Sequence, residues 1–465
     1  MRIYNTLTKH KEEFIPIEEG KARIYVCGPT VYDYFHIGNA RPFVFYGTLR
    51  SYLESKGYEV TYVMNFTDVD DKIIDRANEQ GITPKELSEY YIQAYFEDAR
   101  ALGIRDADIH PKVSEHIAQI IDMVALLVEK GHAYQTEDGV YFRVSSFGSY
   151  GQLTGQPLDS LMAGARVEQN EDKESPLDFA LWKAMKPGEI SWPSPWGDGR
   201  PGWHIECSAM GLACLGDAID IHGGGIDLIF PHHTNEIAQS EASLGGKYVR
   251  YWMHNGFINM GEEKMSKSEG NFFTVRDILK SHAGEAVRLY LLSVHYRSPL
   301  AFSSELLDSA ATSLERLYNA KIHLERLLLY YNGNEDAAHA PSEGLAELHS
   351  HCESFEQSLE DDMNTANAIT ALFEMARSIN VHFTESSAKA DVAQALEIYT
   401  SKASILGLLN RKEEMLPESI ERLIEEREQA RLAKDYKRSD EIRDLLKSEG
   451  IILEDTKQGI KWRRA

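Results

Sequence analysis

Two short runs of β-branched and aromatic residues near the start of the chain, 22–28 (ARIYVCG) and 57–65 (GYEVTYVMN), are bounded by turn residues and predict strands. Between them, residues 39–56 repeat their apolar positions at the helical period, with Asn39 as the predicted N-cap. Strand, glycine-containing turn, helix and strand make a βαβ unit. Such a unit predicts a parallel sheet with ligand sites at the C-terminal ends of its strands. Helical patterns follow from Thr83 to Lys130, and from His132 to Pro195 the chain turns rich in Gly, Pro, Ser and Trp, predicting a small β-containing insertion. The sheet is expected to resume across residues 202–251. After Ser304 long amphipathic repeats predict an all-α bundle. Beyond Leu416 a charged helix pair, a turn at Glu449 and Gly450, and a short hairpin complete an α/β chain with appended helical and terminal units.

Composition narrows the classes. With 465 residues, 43% hydrophobic and 26% charged, the chain is globular and has several domains. No apolar run approaches the ~18 residues that span a bilayer, so no membrane partner is expected. The N-terminus lacks a signal-peptide core, and four scattered cysteines suit a reducing compartment, so a cytoplasmic location is expected. A net charge of −24 excludes a nucleic-acid binder that is basic all over. From Glu421 to Ala465, however, 12 lysines and arginines meet 11 aspartates and glutamates, and the tail ends KQGIKWRRA. That terminus can meet a phosphate backbone locally; a solvated, salt-bridged helix end is the other reading.

Two motifs suggest chemistry on a polyphosphate. His36-Ile37-Gly38-Asn39 follows the first strand at the mouth of a helix, where unpaired N–H groups and the positive dipole end attract anions. Gly38 lets a phosphate or nucleobase approach the backbone, and His36 can donate to a phosphoryl oxygen. Some 230 residues later comes Lys264-Met265-Ser266-Lys267-Ser268, flanked by Gly261 and Gly270. Its two lysines can neutralise charge that builds up as pyrophosphate leaves.

Together these motifs resemble the paired HIGH and KMSKS signatures of the class I aminoacyl-tRNA synthetases. More closely, the chain resembles the bacterial cysteinyl-tRNA synthetases, through YVCGPTVYDYFHIGNAR, NFTDVDDKI, SPWGDGRPGWHIECSAM, DIHGGGIDLIFPHHTNEIAQSEA, EKMSKSEGNFFTVRDIL and the terminal AKDYKRSDEIRDLL and GIILEDTKQGIKWRR. One departure is Asn39, where the family signature has its last histidine. An amide can hydrogen-bond to ATP but cannot take up charge.

Cys27, Cys207, His232 and Glu236 are competent zinc ligands by residue type, and His232 and Glu236 stand at i and i+4. None has CxxC spacing, and buried cysteines are common; the resemblance turns this possibility into an expected site for one Zn2+. A pocket built on shape alone separates near-isosteres by only about 10–200-fold, whereas zinc takes a thiolate far better than a serine hydroxyl. His233 is expected behind the ligands, and Cys214 and Cys352 in the core.

The resemblance further implies Thr67, Trp203 and His222 as the substrate pocket and Asp227 as a contact to ATP ribose or the substrate ammonium. It implies catalytic roles for His36, Asn39, Lys264 and Lys267, and ATP contacts at Gly38 and Lys267. It implies a Rossmann-like catalytic domain (1–131 and 196–250), an inserted connective domain (132–195), a KMSKS-containing stem-contact region (251–304), a helical bundle (305–411) and a C-terminal anticodon-binding unit (412–465). Tyr436 and Trp462 are the candidate base-stacking residues of that unit. The implied reaction is a two-step ligation. L-cysteine attacks the α-phosphate of ATP, with Mg2+ assisting the pyrophosphate, and the cysteinyl group then passes to the 3′ end of tRNA(Cys). A monomer is expected. The rival readings are a cysteine ligase of low-molecular-weight thiol biosynthesis, which lacks the terminal unit, and a non-catalytic RNA-binding paralogue.

Overall fold

The computed structural model describes residues 1–156, 173–260, 263–264, 273–331, 342–411, 418–456 and 459–464. A hairpin of β1 (Arg2–Asn5) and β2 (His10–Glu13) precedes the βαβ unit, which consists of β3 (Lys21–Val26), α1 (Ile37–Ser55) and β4 (Glu59–Met64). The N-cap of α1 is His36, not Asn39: its Nδ1 accepts the Asn39 N–H at 3.3 Å, so the helix starts earlier than the apolar period indicates. The helices α2 (Asp71–Gln80), α3 (Pro84–Ala101) and α4 (Ile117–Glu129) follow, with α3 opened by a Thr83–Glu86 capping box.

An antiparallel sheet then forms from β5 (Ala133–Gln135), β6 (Gly139–Phe142), β7 (Phe179–Ala184) and β8 (Gly199–Pro201), paired in chain order. The chain returns through α5 (Trp203–Leu215), β9 (Ile219–Gly225), α6 (Thr234–Leu244) and β10 (Val249–Asn255). The central sheet has the order β10-β9-β3-β4 and is parallel throughout, because each return is made by crossover segments that carry helices.

Beyond it lie β11 (Ile258–Met260), β12 (Glu263–Lys264), α7 (Val275–Leu279), α8 (Gly284–Leu292) and β13 (Leu300–Ala301). The bundle comprises α9 (Ser304–Leu329), α10 (Glu343–Glu360), α11 (Thr365–His382) and α12 (Lys389–Ile405). The chain closes with α13 (Glu418–Leu432), α14 (Tyr436–Ser448) and the hairpin β14 (Ile451–Thr456) and β15 (Gly459–Arg464).

One hydrophobic core runs without a break from Ile3, Ile24 and Val26 to Leu317, Leu372 and Leu409 in and beyond the bundle. Asp362, buried in the turn between α10 and α11, accepts hydrogen bonds from the Tyr4 N–H, the Tyr296 hydroxyl and Arg297 Nε, each at 2.8 Å. That carboxylate ties the first strand to the bundle. A second core lies beneath the insertion and includes Val63, Phe142, Trp182 and Ile205. A third, small core of Ile420, Ile442, Leu446, Ile451 and Leu453 belongs to the terminal unit alone.

Candidate active site and metal centre

The C-terminal ends of the parallel strands converge on one edge, and the candidate residues gather there. The His36 loop leaves β3 and enters α1, and it is paired with the segment that follows the lysine-rich loop. Ile37 N–H donates to Phe273 O at 3.2 Å, and Val275 N–H donates to Phe35 O at 3.1 Å. The segment that follows the second motif, from Phe273 on, therefore adjoins the first motif. A Cβ at position 38 would stand 2.8 Å from the His36 ring, so Gly38 is what lets the imidazole lie across the helix mouth. Lys264 pairs its backbone with Asn259 in β12; Lys267 lies outside the described residues.

Cys27 directly follows β3 and Cys207 lies in α5, while His232 lies in the wide turn Ile229–His233 that leads into α6, which carries Glu236. One ligand atom from each of these four buried residues lies within 4.8 Å of the others. Cys27 Sγ is 3.8 Å from Cys207 Sγ and 3.6 Å from Glu236 Oε1, which in turn is 3.1 Å from His232 Nε2. A second quartet, Cys27, His222, His233 and Glu236, meets the same distance bound.

The hydrogen bonds distinguish the two. His222 Nδ1 donates to the Tyr25 carbonyl at 2.9 Å, so Nε2, which faces Glu236 Oε2 at 2.9 Å, must donate as well. His222 thus acts as a cationic partner of Glu236. Burial disfavours that cation, but the charge of Glu236 outweighs burial and raises the His222 pKa. His233 turns Nδ1 towards His254 at 2.8 Å, and His254 continues to the Thr6 hydroxyl at 2.8 Å. Burial pushes the pKa of His233 down, keeping the ring neutral.

The first quartet carries the stronger electrostatic signature. Burial would raise the Glu236 pKa, but His222 and His232 outweigh it and hold the carboxylate well below its usual range. Burial likewise works against the His232 cation, yet Glu236 lifts that pKa to about 10. A hydrogen bond from Cys27 brings Cys207 down to about 6 against burial, while burial pushes Cys27 up. Two sulfurs, an imidazole and a carboxylate gathered this tightly suit zinc. This quartet also has the open side: the Trp203 ring, 42% exposed, lies 4.5 Å from the His232 ring.

The remaining candidates surround this centre. Thr67 is buried, donates its hydroxyl to Glu206 Oε2 at 3.1 Å, and pairs its backbone with Pro29 and Val31. His222 has no exposed surface and faces Glu236. Asp227 is exposed in the short turn after β9. At the far end of the chain Tyr436 is 63% exposed at the start of α14, and Trp462 lies opposite Leu453 in the terminal hairpin. The partners that sequence reasoning missed are His204, whose Nδ1 is 3.0 Å from His232 Nδ1, together with His254 and Thr6. His204 could have been found one turn before Cys207; nothing in the sequence joins Thr6 to residue 254.

The strand end that presents Cys27 is crowded. A Cβ on Gly28 would overlap the carbonyl oxygen of Asn65, which is backbone and cannot swing away. Gly28→Ala is expected to cost about 1–3 kcal/mol of stability, read as a lowered Tm in calorimetry, whereas an unchanged Tm would show that this strand end can open.

Comparison with known proteins gives three family matches. Residues 13–312 match the family described as tRNA synthetases class I (C) catalytic domain, residues 354–410 a DALR domain, and residues 413–463 the cysteinyl-tRNA ligase anticodon binding domain. The chain is 51% identical over 465 residues to the cysteine–tRNA ligase of Clostridioides difficile, covering all of both chains. It is 54% identical over 471 residues to that of Carboxydothermus hydrogenoformans, again with full coverage of both. Among solved structures, the methionyl-tRNA synthetase of Mycobacterium tuberculosis in complex with methionyl-adenylate aligns at a TM-score of 0.63 and 15% identity. That alignment covers 83% of this chain and 89% of that one, and it speaks for the fold.

Proposed function

The chain belongs to the class I aminoacyl-tRNA synthetases as a cysteine–tRNA ligase, and from that premise we propose how its residues divide the work. The enzyme joins L-cysteine to tRNA(Cys) at the expense of ATP. In the first step the cysteine carboxylate attacks the α-phosphorus of ATP, which enters with Mg2+, and pyrophosphate leaves. His36 turns its Nδ1 to the Asn39 N–H, so Nε2 is the protonated nitrogen that donates to a phosphoryl oxygen. Gly38 admits the nucleotide to the helix mouth, Asn39 adds an amide contact, and Lys264 and Lys267 offset the charge that grows on the leaving group. In the second step a ribose hydroxyl at the tRNA 3′ end takes the cysteinyl group and AMP departs. Positioning and electrostatics supply most of the rate.

Cys27, Cys207, His232 and Glu236 are the residues that would hold Zn2+; when bound, the ion supplies a Lewis acid that favours a substrate thiolate over a hydroxyl. His222 orients Glu236, and His204 meets the second nitrogen of His232, the kind of outer partner that fixes ligand geometry. Thr67 and Trp203 bound the amino-acid side, and Asp227 takes the ammonium or ribose. The observation that carries this reading is the buried quartet at the strand ends, beside the His36 loop. We assign catalysis to residues 1–131 and 196–250, with the insertion 132–195 and the region 251–304 guiding the acceptor end. The bundle 305–411 serves as a spacer, and 412–465 reads the anticodon. No helix among the described residues is long and apolar enough to cross a membrane. We place the enzyme in the cytoplasm as a monomer.

Two assays test the reading. Cysteine-dependent ATP–pyrophosphate exchange reports the first step, and charging of bulk tRNA reports the second. A chain ending at Arg411 is expected to keep exchange and lose most charging, because the third hydrophobic core stands alone. Equal charging by the truncated and full-length chains at limiting tRNA would remove the anticodon role from 412–465.

A further inference from the structure

Asn65 directly follows β4 at the C-terminal edge of the parallel sheet and is only 1% exposed. An amide buried to that extent must find its hydrogen-bond partners inside the protein. The Gly28 N–H, which can only donate, lies 3.0 Å from one end of the carboxamide and so identifies that end as Oδ1. The other end is therefore Nδ2, and it donates to the Thr67 hydroxyl at 3.5 Å. Thr67 in turn donates to Glu206 Oε2 at 3.1 Å, and Glu206 is buried as deeply as Asn65.

These bonds close a circuit. Gly28 follows Cys27 in the chain and Glu206 precedes Cys207, whose Sγ lies 3.8 Å from Cys27 Sγ and 3.8 Å from Asn65 Oδ1. The circuit thus runs through Cys27, Gly28, Asn65, Thr67, Glu206 and Cys207, and returns across the two sulfurs. It draws on three separate parts of the fold: the end of β3, the end of β4 and α5. The main chain is joined here as well, because Thr67 N–H donates to Pro29 O at 3.2 Å and Val31 N–H donates to Thr67 O at 3.1 Å. What those backbone bonds leave open is the direction of the Thr67 hydroxyl, and Asn65 and Glu206 hold it from two sides.

We propose that Asn65 is a positioning residue for cysteine binding, which fixes the Thr67 hydroxyl in register with the paired sulfurs. The amino-acid end and the thiol end of the substrate are then met by groups held in one frame. For so small a substrate, two fixed points of contact turn binding into orientation. The inference rests on the placing of Thr67 at the amino-acid side, as set out above.

The test is equilibrium dialysis of the zinc-loaded full-length enzyme against L-cysteine without ATP, beside metal analysis of every variant. Asn65→Leu keeps the approximate shape of the side chain and removes both of its polar ends. It should retain one zinc per chain and bind cysteine about tenfold more weakly, the scale of a lost buried hydrogen bond. In exchange assays its KM for cysteine should rise while its KM for ATP stays constant, a split that general loosening of the fold would not give. Thr67→Val should weaken cysteine binding by a similar factor, and adding Asn65→Leu to it should cost little more, because Asn65 acts through that hydroxyl. Should Asn65→Leu fail to fold, Glu206→Met interrupts the same circuit from its other side and should show the same coupling to Thr67→Val. Glu206→Gln, which can still pair with the hydroxyl, should then lose less affinity than Glu206→Met. Additive losses in the double variants, or loss of zinc from Asn65→Leu, would overturn the proposal and leave Thr67 at the amino-acid side. Native cysteine affinity in Thr67→Val would remove Thr67 from that side and the proposal with it.

Discussion

Replacing Cys207 by serine is expected to strip the enzyme of zinc and of cysteine activation together. Cys207 Sγ lies at the heart of the quartet, 3.8 Å from Cys27 Sγ, and serine is isosteric but offers a hard, protonated oxygen where a soft thiolate stood. Changes in the outer partners of a metal ligand typically cost about 10–100-fold in affinity. Loss of a thiolate from the ligand set itself should exceed that range. Metal analysis after dialysis should find one zinc per native chain and a small fraction of that in the variant, with circular dichroism checking that the fold survives. Cys214 and Cys352 belong to neither quartet, so Cys214→Ser and Cys352→Ser should keep their zinc. Full zinc in the Cys207 variant would exclude this donor set and leave the quartet of Cys27, His222, His233 and Glu236.

Lys267→Ala should slow adenylate formation by about 2–4 kcal/mol, the worth of one preorganised charge-stabilising group. That is roughly 30- to 900-fold in kcat for exchange. The charge it meets grows only as pyrophosphate leaves, so the KM for cysteine should stay nearly constant. The His36 loop is hydrogen-bonded to Phe273 and Val275, which follow this lysine in sequence. A variant that binds cysteine poorly but turns over normally would move Lys267 from the phosphates to the amino-acid side.

The βαβ unit was legible because its strands are short apolar runs closed by turns and its helix keeps one period. The N-cap of α1 was not. His36 is an uncommon cap, and its role follows from a ring held over Gly38 rather than from propensity. The β1–β2 hairpin escaped for a different reason. RIYN and HKEE carry no distinctive alternation, and what holds them is distant: Asp362 for Tyr4, and the Trp252 carbonyl for the Thr6 N–H. At the site, donor chemistry and the i, i+4 spacing of His232 and Glu236 pointed to a quartet, yet residue type alone did not separate ligand from supporter. His222 was expected to touch substrate. Only the bond from its Nδ1 to the Tyr25 carbonyl shows that its other nitrogen is committed to Glu236.

The unbroken core from Ile3 to Leu409 sets an order of events during synthesis of the chain. β3 and β4 are made early, but one face of their sheet packs within a core completed by residues more than 300 positions later. At about 5–20 residues per second, roughly 20–70 s separate Met64 from Leu409 on the ribosome. During that interval the core to which Ile24, Val26 and Met64 belong is incomplete, and the nascent chain is most exposed to aggregation and most dependent on chaperones. The terminal unit, with a core of its own, folds last and adds nothing to that delay.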